Sequence, residues 1–250
     1  MPSESTAPYE WPGAVIVDEM ACGFYIQDGY WAENGDYCLE VICRNSTESL
    51  CMFSLENIVV SGYLADSFWG QEIQPMEIGN YQIRLAGQAL SDSGIISADE
   101  IRFELRIFDM GEMQKEYLWS SEEKIYPTGL KSIDVKYPQP PQWSQERIFA
   151  DNDYCTYAAS STMESGNTLR CFLENKTARP LQFTWYNTYV NGEYTEPFWS
   201  IEIPARSRCC TKITLDQAQT VDELEFHLYV FQNDQWFAQA VVNDVFVWTP

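Results

Sequence analysis

The sequence is poor in basic residues and contains a single histidine. Its 250 residues include 37 Asp and Glu but only 15 Lys and Arg, which gives a formal net charge of −22. Proteins that bind nucleic acids need clustered Lys and Arg, because much of the affinity comes from releasing the counterions of the phosphates. We therefore expect no nucleic-acid partner and no direct binding to anionic membranes. The simplest interpretation of the acidic excess is solubility.

Long hydrophobic runs are also missing. No stretch of about 18 apolar residues occurs, so the sequence predicts no membrane-spanning helix. The opening stretch MPSESTAPYEWPG lacks the basic and apolar regions of a secretory signal. Two locations remain open on this evidence: the cytoplasm, or the outside of the membrane after removal of a leader.

Motifs that would indicate an enzyme or a metal site are absent. The sequence has no glycine-rich phosphate loop, no Gly-x-Ser-x-Gly and no Cys-x-x-Cys. With His227 as the only histidine, neither a histidine-based triad nor a histidine-rich metal site can be assembled. Acidic pairs such as Glu122 and Glu123 occur, but their linear order does not place two carboxylates across a cleft. We expect no catalytic residues, no cofactor and no metal, and we interpret the chain as non-enzymatic.

What the sequence does contain is an internal repeat. The segment VSGYLADSFWGQEIQP (60–75) returns as VNGEYTEPFWSIEIPA (190–205). A shift of 130 residues aligns 45–85 with 175–215 without a gap and makes 12 of 41 positions identical, where chance would give roughly two or three. We interpret this match as an internal duplication.

The repeat also indicates where the units begin and end. After a loop that differs in length, the alignment resumes at a shift of 123, where DEIRFELRIF meets DELEFHLYVF. The segment PQPPQ between the copies favours an extended, semi-rigid linker. The predicted organisation is a polar lead-in at 1–21, a first unit at 22–127, a linker at 128–151 and a second unit at 152–250.

Both units have the pattern of β-strands. In DELEFHLYVF, apolar residues such as Phe226 and Leu228 alternate with polar ones such as Glu225 and His227, as in a half-buried strand with His227 outside. Asn191-Gly192 is a strong hairpin signal. Similar segments give about seven short strands per unit and no long amphipathic helix. We therefore predict an all-β chain of two tandem immunoglobulin-like β-sandwiches.

The second copy resembles a known group of proteins. Its Glu-Asn-Lys-Thr turn, Val-Asn-Gly turn, Pro-Phe-Trp and Asp-Glu-Leu-Glu-Phe are similar to those of little-characterised tandem immunoglobulin-like proteins of gram-positive, often gut-dwelling, bacteria. Many of those proteins look like lipoproteins or carry membrane or zinc-ribbon segments, which this sequence does not show. The resemblance implies a pair of β-sandwiches at a bacterial cell envelope, and it implies no catalytic residues.

Eight cysteines are present, and the repeat argues against a disulfide framework. No cysteine of one copy aligns with a cysteine of the other; Cys171 aligns with Val41, and Cys51 with Leu181. Cysteine thus takes the place of apolar core residues, as buried free thiols do. We expect free thiols, and structural bridges are the alternative.

Two aromatic pairs form the predicted contact surface: Phe68 with Trp69, and Phe198 with Trp199. Neighbouring strand residues point to opposite faces, so one ring of each pair should fill the sandwich while the other lies near the surface. An exposed indole can anchor a protein or stack on a sugar; alternatively, these rings cover the domain edges. We predict a non-catalytic binding or scaffolding protein of the cell envelope with a protein partner. The alternative is a pair of carbohydrate-binding modules that hold a glycan through exposed tryptophans.

Overall fold

A computed structural model describes residues 12–112, 117–195, 199–215, 220–232 and 240–250, without the side chains of Asp66, Ser67 and Glu112. The chain divides into two compact units: Met1–Ser61 with Ala65–Pro138, and Gly62–Leu64 with Gln139–Pro250. Almost all of the regular structure is β-strand, which confirms the predicted fold class.

The first unit is a sandwich of two four-stranded sheets. One sheet has the order β1-β2-β3-β6, and the other has the order β8-β7-β4-β5. The strands are β1 (Ala14–Asp18), β2 (Cys22–Trp31), β3 (Tyr37–Asn45), β4 (Cys51–Val60), β5 (Tyr63–Ile73), β6 (Ile78–Leu85), β7 (Ile101–Asp109) and β8 (Trp119–Ile125), with a short helix α1 (Gly87–Asp92) after β6.

The second unit repeats this plan. Its sheets have the orders β9-β10-β11-β15 and β13-β12-β16-β17, and β14 also pairs with β12. The strands are β9 (Arg147–Asp151), β10 (Cys155–Ala159), β11 (Thr168–Asn175), β12 (Leu181–Val190), β13 (Glu193–Thr195), β14 (Trp199–Ile203), β15 (Arg208–Thr214), β16 (Leu224–Gln232) and β17 (Val242–Trp248). Single-turn 3-10 helices lie at Met110–Glu112, Ser132–Asp134 and Gln142–Gln145.

Both strand orders are those of immunoglobulin-like sandwiches, in which the chain crosses between the two sheets several times. Each unit also has one strand upstream of the limits placed at residues 22 and 152. β1 pairs antiparallel with β2, and β9 pairs antiparallel with β10. β1 therefore lies within the predicted lead-in and β9 within the predicted linker. Both are short edge strands that precede the region where the two copies can be aligned.

The inward faces of the sheets form a separate apolar core in each unit. In the first unit, Phe24, Phe53 and Phe103 are buried between the sheets. In the second unit, Trp185 stacks on Phe226 with ring centroids 4.2 Å apart, and Tyr157 packs edge-on against both. Aromatic burial of this kind dominates the hydrophobic stabilisation of a small sandwich.

A buried asparagine at the end of β3, and another at the end of β11, closes each sandwich in the same way. Asn45 Nδ2 donates to the carbonyls of Ser49, Ile73 and Gln74 at 2.8–3.1 Å, and its Oδ1 accepts from the Thr47 amide and hydroxyl. Asn175 makes the corresponding five hydrogen bonds, to residues that include Thr177 and Ile203. The Asn-x-Thr sequences are thus turns whose asparagine amides are fully used inside the protein.

The repeated identities also include backbone positions in the left-handed region. Asn57 and Asn187 have φ of 55° and 49°, and each lies at a register shift in its strand. The two-residue turns that follow, Ser61-Gly62 and Asn191-Gly192, have positive φ at both residues. Asn and Gly tolerate this conformation better than other residues, which explains why the copies share them.

All eight cysteines are free, as predicted, and seven of them are buried. Burial raises the pKa of the Cys43, Cys155 and Cys171 thiols to about 12. These residues therefore behave as small apolar core residues at neutral pH.

Within the described residues, no helix is long and apolar enough to cross a membrane. In the same part of the chain, no three His, Cys, Asp or Glu side chains come together in a way that could hold a metal ion.

Candidate functional site

The predicted aromatic surface divides into rings with different environments. Phe68 is 54% exposed, whereas Trp69 is half-buried and packs edge-on against Phe24 at the margin of the first core, 6.5 Å between ring centroids. Trp199 is also half-buried and packs edge-on against Trp185, with centroids 5.8 Å apart. Phe198 lies outside the described residues. The two tryptophans thus cover the edge of their own sandwich rather than forming a continuous surface.

Among the described tryptophans, Trp31 is the most exposed, at 40%, and it packs edge-on against Tyr37. It is a single ring at the end of β2, and no second indole lies beside it among the described ring contacts.

The outer face of the β12-β16-β17 sheet has a stronger concentration of rings. Four side chains on this face, Tyr186, His227, Tyr229 and Phe231, form a continuous row that we call the aromatic face. Tyr186 lies directly opposite His227 in the β12–β16 pairing, and Thr184 lies opposite Tyr229. Their neighbours in sequence, such as Trp185 and Leu228, point into the core, so the alternation of the strands places the row outside.

The rings of the aromatic face pack against one another. The centroids of Tyr186 and His227 are 4.4 Å apart with the planes tilted by 35°, and those of Tyr186 and Tyr229 are 6.2 Å apart at 72°. Tyr229 and Phe231 follow at 5.0 Å and 41°. The row is therefore held in one arrangement before any partner arrives, which lowers the entropy that binding would cost.

Hydrogen bonds fix the polar end of the row. His227 Nε2 lies 2.7 Å from Asn243 Oδ1 and 3.4 Å from the Tyr186 hydroxyl. An amide oxygen only accepts, so Nε2 carries a hydrogen and donates it to Asn243. Burial, together with the neighbouring Tyr229, raises the pKa of Tyr186. The Tyr186 hydroxyl therefore stays protonated at neutral pH and can donate to a partner.

The first unit carries a different surface on the same scaffold. There the positions of Tyr186, His227 and Tyr229 are occupied by Glu56, Glu104 and Arg106, at the same register in β4 and β7. Arg106 forms ion pairs with both glutamates, at 2.8 Å and 2.9 Å. Three interacting charges in the first copy thus correspond to three packed rings in the second.

The difference continues across the next strand. Glu122 and Lys124 of β8 are exposed, and the corresponding residues of β17 are Val245 and Val247, which are 57% and 49% exposed. Arg102 of β7 corresponds to Glu225 of β16. One face of the duplicated fold has therefore exchanged a mixed-charge surface for an aromatic and aliphatic one. Exposed apolar side chains next to packed rings are typical of contact surfaces.

A buried carboxylate in the first unit has a structural explanation. Glu100 is 4% exposed and accepts hydrogen bonds from the Tyr137 hydroxyl at 3.0 Å and the Tyr126 hydroxyl at 3.4 Å. Burial and the neighbouring Glu100 raise the pKa of Tyr137 to about 12, which keeps this donor protonated. The cluster holds the chain after β8 against its own unit, so we assign it no ligand.

Comparisons with known proteins do not name a family. No family model matches the chain, and no curated protein matches it. One similar solved structure is that of a red sea bream transglutaminase, with a TM-score of 0.27 and 9% sequence identity. The match covers 93% of this chain and 31% of the transglutaminase chain. A second is the calcium binding domain CBD12 of CALX1.1, with a TM-score of 0.22 and 11% sequence identity. That match covers 80% of this chain and 75% of the other. A third is the chicken CNTN1 FN1–FN3 domains, with a TM-score of 0.24 and 8% sequence identity. The match covers 90% of this chain and 63% of the other. At these TM-scores and identities, the similarity carries no argument about function.

Proposed function

We propose that this protein is a non-catalytic binding protein and that the aromatic face of its second unit is the surface that contacts a protein partner. The observation that carries the proposal is the difference between the copies. Glu56, Glu104 and Arg106 form an ion-paired surface in the first unit, and packed rings replace them in the second. Solubility alone does not favour the replacement of these charged residues by rings, because the replacement removes charge from an exposed sheet.

The chemistry of the aromatic face suits a protein interface. Tyrosine offers a large, rigid contact area and a hydroxyl for hydrogen bonding, with only two side-chain torsions to restrict. Tyr186 and Tyr229 supply such rings near the centre of the sheet, and Val245 and Val247 extend the apolar area. A central cluster of rings surrounded by polar groups is the usual arrangement of an interface hot spot.

A glycan is the competing partner, and the ring geometry favours it less. A flat polysaccharide stacks on rings whose faces are coplanar with the surface. The planes of Tyr186 and Tyr229 meet at 72° instead. Trp69 and Trp199, the tryptophans of the predicted aromatic contact surface, pack edge-on against core rings.

We further propose that the protein acts at a bacterial cell envelope. This part of the proposal rests on the sequence resemblance described above. Cell fractionation of the source bacterium with an antibody to the protein tests it, and recovery in the cytoplasmic fraction alone would contradict it.

The contact surface can be tested by site-specific cross-linking in the intact protein. A photoreactive amino acid is placed at Val245, beside the aromatic face, and separately at Glu122, the equivalent exposed position of the first unit. We expect a discrete cross-linked protein from Val245 and much less from Glu122. Equal products from both positions would refute the assignment. So would glycan-array binding that disappears on Tyr229→Ala.

A further inference from the structure

The strands that carry the aromatic face contain no basic residue. From Leu181 to Ala205 and from Ile213 to Pro250 the sequence has nine acidic residues and no Lys or Arg. These two stretches include all of β12, β13, β14, β16 and β17. His227 is the only histidine in them.

Three basic residues on the other sheet of the second unit are ion-paired there. Arg170 of β11 and Lys212 of β15 both contact Glu164, at 3.4 Å and 3.2 Å, and Arg208 contacts Glu174 at 2.8 Å. The two sheets of this sandwich thus differ in charge, and the sheet with the aromatic face is the acidic one.

Acidic side chains flank the row of rings on its own face. Glu225 lies two residues before His227 on β16, opposite Tyr189 and Val247. Glu202 of β14 lies opposite Gln182 at the other end of the face. Rings with carboxylates beside them attract Arg and Lys, through the electron-rich ring face and through ion pairing.

The first unit shows what completes such a surface. There Arg106 is the cation: it joins Glu56 and Glu104, and its guanidinium lies 5.5 Å from the centroid of the Tyr117 ring. The corresponding residue of the second unit is Tyr229, so the chain itself supplies no cation at that position.

We infer that the partner of the aromatic face is a basic protein segment whose Arg or Lys side chains lie over Tyr186 and Tyr229 and pair with Glu225. This inference rests on the proposed function and specifies the chemistry of the partner. A second copy of the chain fits this surface poorly, because two faces without a base would meet within molecules of net charge −22.

The test uses the intact protein and three synthetic peptides of equal length with arginine, glutamine or glutamate at the same positions. Binding is measured by isothermal titration calorimetry at low and at physiological salt. We expect the arginine peptide to bind at least tenfold more tightly than the glutamine peptide, and the glutamate peptide not to bind. Raising the salt should weaken the arginine complex, because exposed charge pairs are screened.

A graft separates recognition from general attraction to an acidic protein. The variant Tyr186→Glu/His227→Glu/Tyr229→Arg installs the residues that the first unit holds at these positions, and it makes the net charge more negative by one. Recognition by the rings predicts at least a tenfold loss of affinity for the arginine peptide. General attraction predicts no loss.

The matched control exchanges the same positions in the other unit. Glu56→Tyr/Glu104→His/Arg106→Tyr makes the net charge less negative by one, and we expect it to keep the affinity for the arginine peptide. A single change, Glu225→Arg, leaves the rings in place and should also lower the affinity for the arginine peptide at least tenfold. Near-ultraviolet circular dichroism confirms that each variant is folded.

The outcomes distinguish the two proposals. Equal binding of arginine and glutamine peptides that the graft abolishes would overturn the basic partner while the contact surface stands. Binding of the arginine peptide that the graft leaves unchanged would overturn the inference, and so would the absence of any binding by that peptide. Cross-linking at Val245 decides the proposed function separately, whatever the charge of the protein recovered.

Discussion

At the scale of single residues, the duplicated asparagines show how one side chain can hold two sheets together. Asn45 joins the end of β3 to the carbonyls after β5, and Asn175 does the same in the second unit. Both side chains are buried, and an unmade hydrogen bond in such a place costs about 1–3 kcal/mol. These residues were recognisable in the sequence as repeated identities, but their five-bond network depends on residues 28 and 29 positions away.

Asn45→Ala should therefore lower the free energy of unfolding by about 3 kcal/mol, because it leaves several buried carbonyls and an amide without partners. Urea unfolding followed by circular dichroism measures the change. The control is Asn80→Ala, at an exposed position of β6, for which we expect a change within about 0.5 kcal/mol. Equal effects of the two substitutions would show that the network contributes nothing.

The buried thiols predict how stability depends on pH. Burial raises the pKa of Cys43 from its ordinary value near 9 to about 12. The folded state then holds the thiol proton while the unfolded state releases it, so the stability present below pH 9 is lost as the pH rises toward 12. The slope approaches about 1.4 kcal/mol per pH unit for one such group.

Between pH 9 and pH 11, the free energy of unfolding should consequently fall by about 2 kcal/mol less in Cys43→Ala than in the parent protein. Urea midpoints at a series of pH values give the comparison, and the offset between the two proteins below pH 8 corrects for the smaller side chain. Parallel curves above pH 9 would contradict a buried neutral thiol at position 43.

At the scale of elements, the β12 bulge sets which residues reach the aromatic face. The register of β12 against β16 shifts between Tyr186 and Tyr189, with Asn187 in the left-handed region at φ 49°. β4 of the first unit has the same shift next to Asn57. A bulge inserts a residue that has no partner and bends its strand, so it determines which side chains point outward beyond it.

Asn187→Val should destabilise the protein by about 1–2 kcal/mol, since a β-branched residue fits the left-handed conformation poorly. Asn187→Gly is the matched control and should change stability much less. Denaturant unfolding of both variants measures the difference. If the two substitutions behaved alike, the left-handed backbone would not be the reason for asparagine at this position.

The elements also show what the sequence can predict and what it cannot. Alternating patterns predicted β7 and β16 because their apolar residues follow a strict period of two. β1 and β9 were missed because five-residue edge strands in Pro-containing segments carry little pattern. The aromatic face was missed because its rings become neighbours only through the pairing of β12 with β16, which brings Tyr186 opposite a residue 41 positions away.

At the scale of the whole molecule, duplication makes the protein its own comparison. Residues shared by the copies, such as Asn45 with Asn175 and Gly62 with Gly192, maintain the fold. Residues that differ on equivalent surfaces show where the copies have diverged. The repeated tryptophans Trp69 and Trp199 cover their own sandwiches, whereas the difference between Arg106 and Tyr229 lies at the proposed contact surface.

The measurement that tests the central claim most directly uses the partner recovered through the Val245 cross-link. Its dissociation constant is determined for the parent protein and for the Tyr186→Glu/His227→Glu/Tyr229→Arg variant. If the aromatic face is the contact surface, the folded variant should bind the partner at least tenfold more weakly than the parent protein. An unchanged dissociation constant would contradict the account.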